Sequence, residues 1–209
     1  MQETTGIEGQ TTRYNLDIVS PFMSRLAVLF DKMDCGYAAV AGRYGFVCRG
    51  CKDNCCLTRF THHTLIEYHY LLRGFASLDP DRRKSARRRA DTVVDIMRMA
   101  DASGLPIKEM CPLNAGNRCI LYSHRPMICR LHGLPHELHP PGKDLRRHPG
   151  CDTFYDCCRR SDYIRFDRTP FYMELSKLER DLRAALGVSE GVRMTIAQML
   201  ANPAAEQDL

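Results

Sequence analysis

The chain has no tryptophan, and aromatic residues make up only 8% of its 209 residues. No run approaches the roughly 20 apolar residues that a membrane-spanning helix requires, so no membrane span is predicted. The phosphate-binding patterns G-x-G-x-x-G and Walker A, the nucleophile motif G-x-S-x-G and the zinc-protease motif H-E-x-x-H are also missing. These absences exclude the conventional nucleotide, hydrolase and metalloprotease sites.

The composition and the N-terminal residues predict a folded protein of the cytoplasm. Hydrophobic residues make up 44% of the chain and charged residues 26%, which is enough apolar material for a core. The first residues lack the basic and apolar regions of a secretory signal, so we expect a reducing compartment. There are 11 cysteines, and this odd number argues against a complete set of intramolecular disulfides.

Apolar residues at helical spacing predict two helices in the first half of the chain. Pro21 is expected to open the first, and the glycines between Gly36 and Gly50 are expected to form turns that lead into the first cysteines. Thr64 and Glu67 have the spacing of a capping box at the start of the second helix.

Two later helices are predicted from a shared pair of signals. Each begins with Asp or Thr followed by proline and ends at a glycine, which suits the left-handed position after a helix. They run from Pro80 to about Gly104 and from Pro170 to Gly187, and a shorter helix is expected over 192–200.

The segment 105–160 is rich in proline, glycine and cysteine and has no long amphipathic period. A segment of this kind needs an additional constraint to hold one conformation, and bound metal would supply it. We therefore predict a mainly α fold, with helices packed around an irregular, cysteine-rich loop core that is pinned by metal. Residues 1–13 are expected to form a flexible tail and 14–200 a single metal-binding domain, with C-terminal helices in 169–200.

The densest feature of the sequence is the group Cys48, Cys51, Cys55 and Cys56. A C-x₂-C pair lets two sulfur atoms turn toward one ion, as in zinc and iron–sulfur sites. The adjacent Cys55 and Cys56 point in different directions. They therefore suit two metals, or one larger cluster and a second site.

Four later cysteines complete the candidate ligand set: Cys111, Cys119, Cys129 and Cys151. With the first four they make eight thiols, which would fill two four-thiolate sites. The sequence leaves open how the eight divide between two zinc ions or two clusters.

These motifs resemble the YkgJ-type cysteine-cluster family, a zinc- or iron-chelating domain with a CxxCxxCC signature. The similar region spans about 45–155 and includes Cys-Pro-Leu at Cys111 and an Arg-Pro-x-x-Cys-Arg block that ends at Arg130. Three residues separate Cys51 from Cys55, where the signature has two. The resemblance implies metal binding, and a similar cysteine block in flagellin lysine methylases suggests a cluster-dependent enzyme.

The expected function is therefore that of a metal-binding protein whose cofactor is an iron–sulfur cluster or zinc. We favour iron–sulfur slightly, because it makes better use of adjacent cysteines. One alternative is a cluster-dependent enzyme that modifies a protein or a small molecule, for example by methyl transfer. The other is a structural zinc module that binds a protein or nucleic acid. The sequence does not decide whether the protein is an enzyme.

Three cysteines and several histidines lie outside this ligand set. Cys35 is expected to be a small buried apolar residue, whereas Cys157 and Cys158 suit alternative ligands and a redox pair equally well. Imidazole also binds zinc, but each histidine between Cys129 and Cys151 is individually interpreted as a surface or hydrogen-bonded residue. These are His132, His136, His139 and His148.

Positive charge is concentrated in one helical segment, where Arg82–Arg89 includes six basic residues. Its apolar residues define a core face, so the arginines are predicted to form a solvated face. No aromatic residues interleave with them, and nucleic-acid binding is therefore not favoured. Arg125 and Arg130 are instead expected to offset the charge of the thiolates.

Overall fold

The structure, a computed structural model, describes residues 16–48 and 55–203. It is mainly helical, as predicted, and the tail expected at 1–13 lies outside the described residues. The helices are α1 (Leu16–Tyr44), α2 (Leu65–Ala76), α3 (Pro80–Ser103), α4 (Met127–Leu131), α5 (Asp152–Cys158), α6 (Thr169–Leu186) and α7 (Ile196–Ala201). The strands are β1 (Asn114–Ala115), β2 (Arg118–Cys119), β3 (His136–Leu138) and β4 (Arg146–His148).

Helix α1 is longer than the sequence predicts. It begins before Pro21 and continues to Tyr44, so Gly36 and Gly42 are helical and do not form turns. Its buried apolar side chains continue through this stretch, and their packing outweighs the helix-breaking tendency of proline and glycine. A β-carbon on Gly36 would lie 3.4 Å from the Phe171 ring, so α6 approaches α1 closely at this point.

Helix α2 begins where expected, but the capping box at its start does not form. Thr64 is the N-cap residue, and its hydroxyl donates to Glu67 Oε2 at 2.5 Å. The other carboxylate oxygen, Oε1, accepts the backbone N–H of Met127 at 2.7 Å. Glu67 therefore connects α2 to α4.

The predicted C-terminal ends of α3 and α6 and the predicted N-cap of α3 are confirmed, whereas the predicted N-cap of α6 is wrong. Asp79 caps α3 by accepting the N–H of Arg82 at 2.9 Å, and the helix ends at Gly104 with φ of 65°. Helix α6 ends at Gly187 with φ of 67°, but Thr169 already lies within the helix and does not cap it. Both C-terminal glycines adopt left-handed φ, which glycine favours, and these two helix ends could therefore be predicted from the sequence.

The core lies between α1, α2, α4 and α6, while α3 packs against α7. Helix α7 covers only the second half of the segment predicted at 192–200. In 105–160, two short hairpins (β1–β2 and β3–β4) and the short helices α4 and α5 order much of a region that was predicted to be irregular. The largest fully buried side chains are Phe30, Phe75, Leu26, Leu29, Met33, Ile66, Leu71, Leu72, Leu113, Leu131, Leu134 and Leu182.

Across the parts of the chain that the structure describes, no helix combines the length and the apolar character needed to cross a membrane.

Candidate metal centre

Seven of the eight predicted ligands belong to the described residues, and Cys51 lies outside them. None of the ten cysteines in 16–48 and 55–203 is joined in a disulfide. Cys48 is exposed, and the other six predicted ligands among them are partly buried: Cys55, Cys56, Cys111, Cys119, Cys129 and Cys151.

Backbone hydrogen bonds bring three of these cysteines into one loop assembly. The N–H of Cys111 donates to the carbonyl of Cys56 at 2.8 Å. The β1–β2 hairpin then pairs Asn114 with Cys119, so the chain returns toward Cys111. Its two-residue turn has φ of 60° at Gly116 and 62° at Asn117, the left-handed pair that a type I′ turn requires. The Gly-Asn dipeptide is a sequence signal for this hairpin, which was not predicted.

Cys129 lies on α4, whose position is set by the buried Glu67. The Met127 N–H that Glu67 accepts is in the first turn of α4, two residues before Cys129. A carboxylate at a helix start satisfies backbone donors that have no partner within the helix. Glu67 is only 5% exposed. The contact therefore ties the cysteine-bearing helix to the core.

Four thiols share one electrostatic neighbourhood, which we call the Cys129 group: Cys56, Cys111, Cys119 and Cys129. Burial is the main cause that raises the pKa of the Cys111 thiol to about 12, and the charges of the neighbouring Cys56 and Cys119 contribute to this rise. Burial also raises the pKa of Cys129, and the other three cysteines of the group add to this effect. Metal binding replaces the protons of such thiols, so their mutual repulsion as anions would be relieved by a cation between them.

The thiols of the adjacent Cys55 and Cys56 have pKa values shifted in opposite directions. A hydrogen bond from the Cys55 thiol lowers the pKa of Cys56 to about 6, and the same contact raises the pKa of Cys55. Their further neighbours differ as well. The charge of Cys56 raises the pKa values of Cys111, Cys119 and Cys129, whereas the charges of Cys129 and Cys48 raise the pKa of Cys55.

A second neighbourhood lies around the turn between α4 and β3. The N–H of Cys151 donates to the carbonyl of Gly133 at 2.9 Å, and Cys151 Sγ accepts the Phe154 N–H at 3.4 Å. Burial raises the pKa of Tyr37, and the charges of Cys48 and Cys151 raise it further. Tyr37 on α1 therefore lies beside these two cysteines. No sequence motif marks it.

In residues 16–48 and 55–203, no three His, Cys, Asp or Glu side chains are arranged so that they could hold a metal ion. The thiols are gathered in the same region, but their sulfur atoms do not converge on one point. A metal bound here would have to draw the thiolates together.

The two arginines of the Arg-Pro-x-x-Cys-Arg block have different roles. Arg130 is buried, donates to Asp34 Oδ2 at 2.5 Å and to the Arg125 carbonyl at 2.8 Å, and lies 4.1 Å above the Phe30 ring. It therefore ties the loop to α1. Arg125 lowers the pKa of Cys119 by its charge, although burial raises that pKa overall. Of the two, Arg125 is the one beside the thiols.

The basic segment of α3 is not a purely solvated face. Arg83 donates to the Ala76 carbonyl at 3.1 Å, and Arg87 lies 5.6 Å from the centre of the Phe75 ring. Arg89 donates to the Pro112 carbonyl from Nε at 2.9 Å and from Nη2 at 2.7 Å. Since Pro112 follows Cys111, Arg89 fixes the cysteine loop to α3, and its charge lowers the pKa of Cys111.

We expect Arg89→Met to lower the free energy of unfolding by about 1 kcal/mol, because the buried Pro112 carbonyl loses its donors. Arg88→Met is the matched control, since Arg88 is exposed on the same helix and surface changes usually stay within about 0.5 kcal/mol. Urea unfolding of both variants in metal-free buffer measures the difference. Equal stabilities would contradict a supporting role for Arg89.

The remaining candidates fall outside both thiol neighbourhoods. The prediction that Cys35 is buried is wrong, because Cys35 is exposed on α1. Cys158 is buried and donates to the Tyr44 carbonyl at 3.7 Å, while Cys157 is exposed.

The four histidines have aromatic or polar contacts. His132 lies 5.5 Å from the Phe60 ring, and the rings of His136 and His148 stack 4.9 Å apart across β3 and β4. His139 is close to Glu137, with 3.4 Å between Nε2 and Oε2.

The chain matches no protein-family model, no curated protein and no solved structure with which it was compared.

Proposed function

We propose that this protein binds a metal cofactor, an iron–sulfur cluster or zinc, through cysteine thiolates. The proposed ligands are those predicted from the sequence: Cys48, Cys51, Cys55, Cys56, Cys111, Cys119, Cys129 and Cys151. The observation that supports this most directly is the Cys129 group, in which four partly buried thiols influence one another's pKa. Packing alone gives no reason to gather so many thiols in one loop assembly.

The donor set suits such a cofactor in its chemistry. Thiolates are the ligands that structural zinc and iron–sulfur clusters prefer. Arg89 and Arg125, which act on Cys111 and Cys119, supply positive charge beside a site that would be anionic when loaded. When bound, zinc would supply a rigid cross-link, and an iron–sulfur cluster would add electron transfer.

The choice between the two cofactors rests on the adjacent cysteines. The Cys55 thiol donates a hydrogen bond to Cys56, and the two cysteines differ in their further neighbours, which supports their use in two centres or around one larger cluster. We therefore keep a slight preference for iron–sulfur. The resemblance to the YkgJ-type family rests on the motif residues alone, and cytoplasmic residence stays a prediction from the sequence.

Anaerobic purification followed by analysis of iron, zinc and acid-labile sulfide tests the proposal. A brown protein with iron and sulfide in near-equal amounts indicates a cluster, whereas stoichiometric zinc without colour indicates a zinc site. Treatment with a strong chelator should lower the melting temperature in either case, because the cofactor binds the folded state. A protein that stays folded without metal and takes up neither zinc nor a reconstituted cluster would refute the proposal.

A further inference from the structure

Strand β4 is the exposed outer edge of a small sheet. All three of its residues, Arg146–His148, are exposed, and β3 is the strand that pairs with it. On its other side, β3 pairs with the segment 166–168. There the Glu137 N–H donates to the Phe166 carbonyl at 2.8 Å, and the Glu137 carbonyl accepts the Arg168 N–H at 3.1 Å. No further strand within 16–48 or 55–203 pairs with β4.

The register of this sheet leaves the backbone of Arg147 facing outward. Arg147 lies directly opposite Glu137. In an antiparallel pair, opposed residues either exchange both backbone hydrogen bonds or turn both groups away from each other. Glu137 uses its N–H and its carbonyl toward 166–168, so the N–H and the carbonyl of Arg147 point away from β3. An edge of this kind is a template to which another strand can be added.

The side chains along this edge are positively charged. Arg146 and Arg147 belong to the strand itself, and Arg165 contacts Glu137 together with Arg147. The Nε atoms of Arg147 and Arg165 lie 3.4 and 3.1 Å from the two carboxylate oxygens of Glu137, which is only 4% exposed. The side chains of the two arginines are 67% and 68% exposed. One buried carboxylate therefore serves two arginines, and the charge that they present to solvent is positive.

The nearby carboxylates do not cancel this charge. Asp167 is partly buried and accepts the Thr169 N–H at 2.9 Å, and its other oxygen lies 3.9 Å from Arg165 Nη2. Asp144 precedes β4 and is adjacent to Lys143, which offsets it. The edge therefore favours a partner that carries carboxylates of its own.

Charge selects the kind of strand that can be added. Like charges placed directly opposite each other destabilise a strand pair, whereas opposite charges stabilise it. A second copy of this chain would place its own arginines against Arg146 and Arg147, so pairing of two β4 edges is disfavoured. An extended segment with Asp or Glu gains both main-chain hydrogen bonds and attraction to the arginines. A nucleic acid is less suited, because its phosphates have no donor for the outward carbonyl of Arg147.

We propose that β4 is a docking edge for an acidic, extended segment of a partner protein, which joins the sheet as a further strand. Main-chain hydrogen bonds at Arg147 hold the segment, and its carboxylates lie beside Arg146, Arg147 and Arg165. Glu137 fixes two of these guanidinium groups before the partner arrives, which lowers the entropy that binding costs. This interaction goes beyond the proposed function, since it uses neither the thiols nor a bound metal.

A labelled model peptide tests the docking edge. A peptide of about ten residues that alternates Glu and Val provides an acidic strand, and its binding to the purified full chain is measured by fluorescence anisotropy. We expect saturable binding that weakens as the salt concentration rises, and no binding of the matching Lys–Val peptide. Absence of saturable binding, equal binding of the two peptides, or tighter binding of a DNA strand of the same length would each overturn the proposal.

Charge reversal on the strand locates the site. Arg146→Glu combined with Arg147→Glu should weaken peptide binding at least about tenfold, because attractive cross-strand contacts become repulsive. Lys84→Glu combined with Arg88→Glu is the matched control, since both residues are exposed on α3 and the net charge changes equally. The control should change the affinity less than about twofold, because distant surface charges are screened. Equal weakening in both double variants would contradict docking at β4.

Methylated peptides test the strand geometry on the unaltered protein. Because successive N–H groups of a strand point to opposite edges, methylating every second nitrogen blocks one edge of the peptide and leaves the other free. At least one of the two single-edge peptides should keep its affinity, and a peptide methylated at every nitrogen should bind at least about tenfold more weakly. Undiminished binding of the fully methylated peptide, or loss of binding by both single-edge peptides, would overturn strand addition.

Discussion

Replacing Cys129 with serine is expected to remove at least half of the bound metal. Cys129 is partly buried on α4, which Glu67 fixes to α2, and three other predicted ligands raise its pKa. A serine hydroxyl does not deprotonate under the conditions in which a thiol becomes a metal ligand. Metal and sulfide content per chain, together with visible absorption, measure the loss.

Cys35→Ser is the control for this experiment. Cys35 is exposed on α1, apart from both thiol neighbourhoods, so its replacement should leave the metal content unchanged. Circular dichroism should show similar helix content in the two variants, because the change from sulfur to oxygen preserves the shape of the side chain. Equal metal content in Cys129→Ser and Cys35→Ser would refute the ligand assignment.

The sequence predicted the fold best where backbone chemistry is local. Asp79 before proline, and glycine at 104 and 187, set helix ends through hydrogen bonds and left-handed φ within a few residues. The prediction failed for α1, where tertiary packing keeps Pro21 and Gly42 inside one long helix. Local propensity is too weak to decide such cases, since burial of an amphipathic face contributes more.

The candidate site, too, was predicted only where its signal is local in the sequence. Cysteine spacing predicted thiolate ligands, because cysteines can be recognised in any sequence. It did not identify Tyr37, which lies on α1 and meets Cys151 only at the turn formed by Gly133. It also did not identify Arg89, which belongs to a basic run that resembles an ordinary solvated face. Such residues are found only when distant segments are brought together.

The second prediction with a large expected effect concerns Gly150, next to Cys151. A β-carbon on Gly150 would lie 2.6 Å from the Gly133 carbonyl oxygen and 2.6 Å from Cδ1 of Phe154. The carbonyl cannot retreat without breaking its bond to the Cys151 N–H. The Phe154 ring is held edge-on against Tyr44, with 4.8 Å between ring centres.

Gly150→Ala is therefore expected to lower the free energy of unfolding by about 3 kcal/mol, at the upper end of what overpacking costs. Gly42→Ala is the matched control, because nothing lies within 4 Å of its added β-carbon on the exposed side of α1. That variant should gain about 0.5–1 kcal/mol, since alanine favours helix over glycine. Urea unfolding with chelator present measures both changes without any contribution from metal. If the two variants change stability in the same direction, the close packing of Gly150 against the Gly133 turn does not hold Cys151 in place.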